Sequence, residues 1–297
     1  MTTLSKKIDF AVILTVKHAN PNGDPLNGNR PRVTYEGYGE MSDVSIKRKI
    51  RNRLQDMGHK IFVQSDDNRV DEYGSLRERA EGTLKVNDDD QYKKKKKYQE
   101  AACKEWTDVR AFGQVFAFKA KKGKKSEGEE GSEGVSIPVR GPVSLHPAFS
   151  VATVLDRAPS IQITKSVSGE PGEKRGSDTM GMKHRVDHGV YVFYGSMNPQ
   201  LAEKTGFSDE DAQAIKEALR TLFVNDESSA RPAGSMTVHK VYWWEHNSKN
   251  GQYSSAKVHR LLKVKVKDGV DEPNDITDYD IERNDLDNLK CEVLDGE

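Results

Sequence analysis

Residues 8–17, IDFAVILTVK, carry the signal that decides the fold of this chain. Apolar side chains recur there at every second position: Ile8, Phe10, Val12, Leu14 and Val16. Because successive side chains of a strand point to opposite faces, this period predicts a β-strand. Apolar residues also stand between these positions, so we expect the strand to be partly buried on both faces.

A turn-rich loop and a helix are expected directly after this strand. Residues 20–32, NPNGDPLNGNRPR, are residue types that favour tight or left-handed backbone. Ser42 is suited to cap a helix over about residues 43–58. The apolar stripe of this helix has helical spacing and consists of Ile46, Ile50, Leu54 and Met57. Bases occupy the opposite face at Lys47, Arg48 and Arg51, whereas Lys49 and Arg53 flank the stripe.

The rest of the chain predicts further strands and one more helix. Residues 59–108 are polar, include five consecutive lysines at 93–97, and are interpreted as an insertion. Strands are expected near residues 112–119, 160–167, 186–195, 235–245 and 257–267. Ser208 and the acids after it resemble a capping box that begins a second helix. Two helices with a sheet of at least four strands predict an α+β, ferredoxin-like core.

Charge is distributed unevenly along the 297 residues, although the formal net charge is zero. Residues 268–297 hold twelve acids and two bases, so the preceding part has a net charge of +10. A basic body favours a polyanionic partner. For the acidic segment, a solvated face, an interaction segment and an intramolecular shield all stay open.

Several classes of protein are disfavoured by the composition. No apolar stretch approaches the roughly 18 residues of a membrane span, and no secretory signal is evident, which predicts a cytoplasmic protein. Two distant cysteines exclude a disulfide scaffold and a cysteine-rich zinc site. The glycine-rich residues 169–176 lack the Ser or Thr of a phosphate-binding loop. Accordingly, we predict no catalytic residue, no metal and no cofactor.

Asp24 is the carboxylate that stands out, because it lies in the loop near Arg30 and Arg32. It is a candidate general base or metal ligand. The alternative is a turn residue, since Asn-Gly-Asp-Pro is a turn-forming sequence.

Basic residues favour nucleic-acid binding more strongly than any residue favours catalysis. The helix bases are suited to bind phosphates. The arm between the strands near 160–167 and 186–195 offers a second group of cations, with methionines that are suited to wedge between bases. Its members include Lys165, Met180, Met182, Lys183, His184 and Arg185. A solvated charged face is the alternative interpretation.

A set of segments resembles the backbone subunit of Cascade from CRISPR systems, subtype I-C, of the Cas-seven family and RAMP superfamily. They run in family order over about residues 8–245: HANPNGDPLNGNRPR, SDVSIKRKIRNRL, DVRAFGQVFAF, VRGPVSLHPAFSV, IQITKSVS and TMGMKHRVDHGVYVFYGSM. The resemblance implies a modified RRM-like palm with an inserted finger and a β-hairpin thumb. It also implies a non-catalytic subunit that polymerises head to tail, as a helical filament, along the CRISPR RNA spacer in antiviral defence. The guide then pairs with target DNA, so base pairing rather than protein reads the sequence.

Carried onto this chain, the resemblance implies one RRM-like domain over residues 1–297. The implied parts are a finger at 59–108, a mobile loop at 119–134, a thumb at 160–187 and the acidic segment at 268–297. The implied partners are the CRISPR RNA, target DNA through the guide, other copies of the chain, and the processing or cap and large subunits of Cascade; no membrane is implied. The RNA-binding residues would be Asn20, Asn22, Arg30, Arg32, Lys47, Arg48, Arg51, Lys165, Met180, Met182, Lys183, His184 and Arg185.

Two other functions stay open at this point. Related backbone subunits of type III complexes resemble this fold and cut target RNA with a loop aspartate, and Asp24 is the residue that matches. The other alternative is a stand-alone protein that binds single-stranded RNA.

Overall fold

A computed structural model describes residues 2–86, 91–118, 135–154, 160–164 and 180–297. The strands described there are β1 (Ile8–Ala19), β2 (Gly23–Asp24), β3 (Arg30–Pro31), β4 (Tyr38–Met41), β5 (Gly113–Phe118), β6 (Val135–Arg140), β7 (Val143–Leu145), β8 (Ala148–Thr153), β9 (Ser160–Thr164), β10 (Met180–His184), β11 (Val186–Met197), β12 (Met236–Glu245), β13 (Leu262–Val266), β14 (Tyr279–Arg283) and β15 (Cys291–Asp295). The α-helices are α1 (Asp43–Asp56), α2 (Leu76–Thr83), α3 (Gln91–Glu105), α4 (Thr107–Phe112), α5 (Pro199–Thr205), α6 (Asp209–Arg220) and α7 (Ser255–His259). Among these helices, none is long and apolar enough to cross a membrane.

Strand β1 occupies the centre of the main sheet. The strand order is β15-β12-β1-β11-β8-β4, with β7 also paired to β11, and all these pairs are antiparallel. Phe10 of β1 stands opposite Gly195 of β11 on one side and Trp243 of β12 on the other. The strand predicted at residues 8–17 is therefore confirmed, and it continues to Ala19.

Helices α1 and α6 cover one face of this sheet. Phe10, Val12 and Leu14 face the helices in one core, together with Ile50 of α1 and Ile215 of α6. Both predicted helices are confirmed, and their starts follow from capping. The Ser42 side chain accepts a hydrogen bond from the Ser45 amide at 3.2 Å. Ser208 and Asp211 form a reciprocal capping box at the start of α6.

The opposite face of the sheet is covered by the C-terminal part of the chain. Ile13, Val190 and Trp244 pack there against Leu262 of β13 and Tyr279 of β14. Strand β15 adds to the sheet edge by pairing with β12. The acidic segment at 268–297 is thus an integral part of the fold. The strand predicted over 257–267 is wrong in its first part, because Ser254 caps the short helix α7 there.

The insertion between α1 and β7 has a hydrophobic cluster of its own. Phe62, Tyr98, Trp106, Phe116 and Ile137 form its buried centre. The sequence predicted an insertion at residues 59–108 without assigning its elements, and helices α2, α3 and the start of α4 lie within that range. The β5–β6 hairpin contributes Phe116 and Ile137, so the cluster extends past residue 108. The predicted loop at 119–134 lies outside the described residues.

Buried ion pairs connect this insertion to helices α1 and α6, which cover one face of the sheet. Asp108 is fully buried and accepts hydrogen bonds from the amides of Phe62 at 2.7 Å and Val63 at 3.1 Å. It also accepts one from Nε of Arg51 on α1 at 2.9 Å. Arg110 makes a two-point contact with Asp211 of α6, at 2.8 and 2.7 Å. These contacts place the insertion in a defined position on the sheet.

A separate hairpin forms the base of the predicted thumb. Strands β9 and β10 pair antiparallel from Met180 opposite Thr164 to His184 opposite Ser160. Strand β10 packs against β3. Residues 165–179, which include the predicted tip, lie outside the described residues.

Replacing Asp108 with alanine is expected to lower the free energy of unfolding by about 3–5 kcal/mol, because Arg51 then becomes a buried charge without its partner. Urea-induced unfolding followed by circular dichroism measures this loss. Glu105→Ala is the matched control, since Glu105 pairs with the exposed Lys60 at 2.8 Å in the same insertion. Its expected cost is about 1 kcal/mol or less. Equal losses in both variants would contradict the assigned role of Asp108.

Candidate nucleic-acid interface

The loop at residues 20–32 is a compact hairpin made of β2, β3 and the turn between them. Asp24 Oδ1 accepts a hydrogen bond from the Leu26 amide at 3.1 Å, and the Asn29 amide donates to the Asp24 carbonyl at 2.8 Å. Gly28 and Asn29 both have positive φ angles, of 57° and 58°. Asp24 is thus observed as a turn residue. Within the described residues, no group of three or more His, Cys, Asp and Glu side chains is placed to hold a metal ion.

Two predicted RNA-binding residues, Asn20 and Asn22, make contacts inside the chain. The Asn20 side chain is buried and donates through Nδ2 to the Asn29 carbonyl at 2.7 Å. Asn22 Oδ1 accepts from the Ser42 amide at 2.9 Å and from the Ser42 hydroxyl at 3.1 Å. Their observed contacts shape the hairpin and join it to the start of α1.

Arg30 and Arg32 carry the positive charge of the hairpin. Arg30 is exposed, whereas the Arg32 side chain is 38% exposed and lies 4.0 Å from Asp24 Oδ1. A separation of that length in a solvated site is a weak ion pair. The guanidinium groups are therefore well placed to contact an anion that lies on the hairpin.

Strand β10 lies beside β3, so the base of the predicted thumb is near this hairpin. Burial lowers the pKa of His184, and the nearby charge of Arg30 lowers it further. Arg185 donates through Nε to Asp187 at 2.8 Å, and His18 also pairs with Asp187, at 3.2 Å. Lys183, Met180 and Met182 lie in the same strand as His184. Lys165, the remaining predicted thumb residue, lies outside the described residues.

The predicted helix bases lie near the insertion and have partners in the chain. Lys47 pairs with Asp43 at 3.0 Å, one turn earlier in α1. Arg48 donates to the Val63 carbonyl at 2.7 Å, and Arg51 pairs with Asp108 as described above. Phosphate binding by Arg48 or Arg51 would require an exchange of these partners. Lys49, which the sequence placed beside the apolar stripe, is buried and pairs with Asp226.

A cleft of about 620 Å³ beside β11 was not predicted from the sequence. Its walls come from β1, β8, β11 and the acidic loop at 271–274, and include Lys17, His18, Thr153 and His188. The positive charge of His188 and Lys17 contributes to lowering the pKa of nearby Asp275, after the hydrogen bonds from Thr277. These four walls come from distant parts of the sequence, so no local motif signals the cleft.

Comparison with known families matches residues 6–284 to the family described as CRISPR-associated protein Cas7. A protein of Haloferax volcanii with that same description is 29% identical over 237 residues. The matched part is 79% of this chain and 68% of the relative. The family match covers the insertion and the central sheet apart from its edge strand β15.

Chains of two solved structures align with part of this chain. A chain of a "CRISPR RNA-guided surveillance complex, pre-nicking" aligns with a TM-score of 0.43 at 17% identity, over 80% of this chain and 78% of that one. A chain of a "CRISPR RNA-guided surveillance complex" aligns with a TM-score of 0.40 at 18% identity, over 80% of this chain and 68% of that one.

Replacing Arg30 with alanine is expected to raise the pKa of His184, because a neighbouring positive charge disfavours the protonated imidazole. A histidine titration followed by NMR on the full chain measures this shift. Lys263→Ala is the control, since Lys263 is an exposed cation on strand β13. An unchanged His184 pKa in the Arg30 variant would contradict the proximity of the β2–β3 hairpin to β10.

Proposed function

The chain belongs to the CRISPR-associated protein Cas7 family, and from this we propose that it is a CRISPR RNA-binding backbone subunit of a surveillance complex. The observation that supports this proposal for particular residues is that β10 lies beside β3. This places the arginines of the β2–β3 hairpin near the base of the proposed thumb. The motifs described above favour subtype I-C. Copies of the chain would follow one another along the guide and leave its bases available for target DNA.

An RRM-like palm is supported by the order of the core elements. Along the chain these are β1, α1, β8, β11, α6 and β12, and in the sheet the strands lie in the order β12-β1-β11-β8. This βαββαβ pattern is typical of ferredoxin-like folds. In this assignment the insertion is the finger and the β9–β10 hairpin is the thumb.

The sheet face opposite α1 and α6 is covered by the C-terminal part of the chain, so we do not place the RNA on that face. RRM modules bind RNA through aromatic side chains on the open face of their sheet. Here Tyr242 and Trp244 of that face are buried beneath the C-terminal part of the chain. We therefore assign the RNA path to the edge of the palm, along Arg30, Arg32 and the thumb residues Lys183, His184 and Arg185.

Contacts of this kind suit a scaffold that accepts any guide. Arginine and lysine bind phosphate and sugar groups, which position the RNA without reading its sequence. Lys47 remains a further candidate for such a contact, because its pair with Asp43 is partly exposed and easily exchanged. The role is structural and needs no turnover, so a processing subunit and a large subunit would act beside it.

Co-expression of the chain with its neighbouring genes and a CRISPR array tests this function. We expect discrete repeat–spacer RNA and several copies of the chain per RNA, measured by sequencing and native mass spectrometry. Heterogeneous RNA bound to a single copy would favour a stand-alone RNA-binding protein and contradict the proposal.

The double variant Arg30→Ala/Arg32→Ala tests the assigned RNA path. Loss of two phosphate contacts should reduce the dependence of log K on log salt by about 1–2, at about 0.7 per contact for a single strand. Lys263→Ala/Lys267→Ala is the charge-matched control, because both lysines are exposed, Lys263 within β13 and Lys267 directly after it. The same reduction in the control would indicate non-specific attraction.

The alternative is a type III-like nuclease that uses Asp24, and one substitution tests it without removing the turn hydrogen bond. Asp24→Asn keeps an oxygen that can accept from the Leu26 amide but removes the carboxylate. We expect wild-type assemblies and this variant to bind RNA equally and to leave a complementary RNA uncut in the presence of Mg²⁺. Cleavage by the wild type that disappears in Asp24→Asn would overturn the non-catalytic assignment.

A further inference from the structure

The loop at residues 225–235 lies against the root of the β2–β3 hairpin. The backbone amide of Asn20, the first residue after β1, donates to the Ala230 carbonyl at 2.9 Å. Shortly before it in the chain, the Lys17 amide donates to the Ser235 carbonyl at 2.7 Å. The loop therefore holds the chain at the point where β1 ends and the hairpin begins.

One carboxylate anchors this loop to helix α1. Asp226 Oδ2 accepts a hydrogen bond from Nζ of Lys49 on α1, and it accepts another from Nε of Arg231 at 3.0 Å. Lys49 is buried and Asp226 is nearly so. The turn that ends at Arg231 is closed by two backbone hydrogen bonds with Ser228, at 2.9 and 3.0 Å. Asp226 thus connects the helix to the turn of the loop.

Net stability is a poor explanation for a charge cluster in this place. Burial lowers the pKa of Lys49 to about 8, although the charge of Asp226 opposes this shift, and the nearby charge of Arg231 lowers the pKa further. The desolvation of a buried ion pair commonly offsets its attraction, so such a pair adds little net stability. Hydrogen bonds between charged groups do fix direction and distance. The cluster is therefore better explained by what it positions.

Helix α1 holds the hairpin at two separate points. The first is direct, because Asn22 accepts from the amide and the hydroxyl of Ser42 at the start of α1. The second runs from Lys49 through the Asp226 carboxylate and the loop to Asn20. Ser42 and Lys49 lie about two turns apart, about 10 Å along the helix axis. A hairpin that is held at one point can swing about that point, whereas two separated points restrict its orientation.

We propose that Asp226 is a positioning residue for RNA binding, which sets the orientation of Arg30 and Arg32 without touching the RNA itself. This inference rests on the proposed RNA-binding function. The Asn20 side chain extends the constraint along the hairpin, because it donates at 2.7 Å to the carbonyl of Asn29, directly before Arg30. A carboxylate therefore promotes the binding of a polyanion by holding the cations that bind it.

Replacing Asp226 with asparagine separates positioning from simple electrostatics, because the two effects have opposite signs. Loss of a negative charge near a bound polyanion strengthens binding. Loss of the charged anchor for the loop should instead weaken RNA affinity by about threefold to tenfold, the range of one net hydrogen bond. Fluorescence anisotropy of the full chain with a labelled single-stranded RNA measures this affinity at constant salt, at a temperature well below thermal unfolding.

A double-mutant cycle identifies the residues through which Asp226 acts. In the background Arg30→Ala/Arg32→Ala, Asp226→Asn should cause no further weakening, because the cations that it positions are absent. An effect on overall stability alone would weaken binding equally in both backgrounds. Asp226→Glu, which keeps the carboxylate, should recover part of the affinity.

Glu227→Gln is the matched control, since Glu227 is the adjacent exposed acid and the substitution removes the same charge. We expect its RNA affinity to equal or slightly exceed that of the wild type. Thermal unfolding of each variant shows whether it is folded at the temperature of the binding measurement. If Asp226→Asn does not fold, Lys49→Met takes its place with the same expected weakening, because it breaks the link to α1 and leaves the pair of Asp226 with Arg231.

Wild-type or tighter RNA binding by the folded variant would overturn the inference, as would equal weakening in the background that lacks both arginines. Either result leaves the proposed function intact when the wild type forms discrete assemblies on guide RNA. If the wild type forms none, it is the proposed function that fails, and the inference fails with it.

Discussion

Burial of strand β1 on both faces is the constraint on which the rest of the structure depends. Its hydrogen bonds are taken by β11 and β12, so it is a central strand. Phe10, Val12 and Leu14 need the helices on one side, whereas Ala11 and Ile13 need a second cover. A sheet that is apolar on both faces is stable only when both are packed. The C-terminal part of the chain supplies the second cover, and this explains why an acidic segment is folded onto a basic body.

The C-terminal segment at 268–297 also neutralises part of the positive charge of the preceding residues. Several of its acids pair with bases of the body, including Asp295 with Lys240 and Glu297 with Arg220. Others lie near Lys17 and His188 at the cleft beside β11. Of the three roles that the sequence left open for this segment, these contacts favour an intramolecular partner. In the proposed function, the acids would keep RNA away from the cleft side and leave Arg30 and Arg32 as its contacts.

Local patterns in the sequence predicted the central strand and the two helices that cover the sheet, whereas contacts between distant residues position the side chains of the candidate site. Strand β1 and helices α1 and α6 were predictable, because their period or their caps lie within a few residues. Helix α3 was not, since its lysine run hides Tyr98 and Ala102, which pack in the insertion. The partners of Arg51 could not be predicted either, because Asp108 lies 57 residues away. The resemblance implied RNA binding for Asn20 and Asn22, and the contacts that they make with Asn29 and Ser42 inside the chain were not predicted.

A chain of polar contacts links the proposed RNA site to the insertion. Asn22 holds Ser42 at the start of α1, Arg51 of the same helix holds Asp108, and Arg110 of α4 holds Asp211 on α6. Each link is wholly or partly buried, and the two Arg–Asp links are charge-assisted hydrogen bonds, which are short and directional. The hairpin and the insertion therefore keep a fixed relative position. In a subunit that repeats along a guide RNA, such rigidity would make the spacing of the contacts a property of the protein, independent of the sequence of the guide.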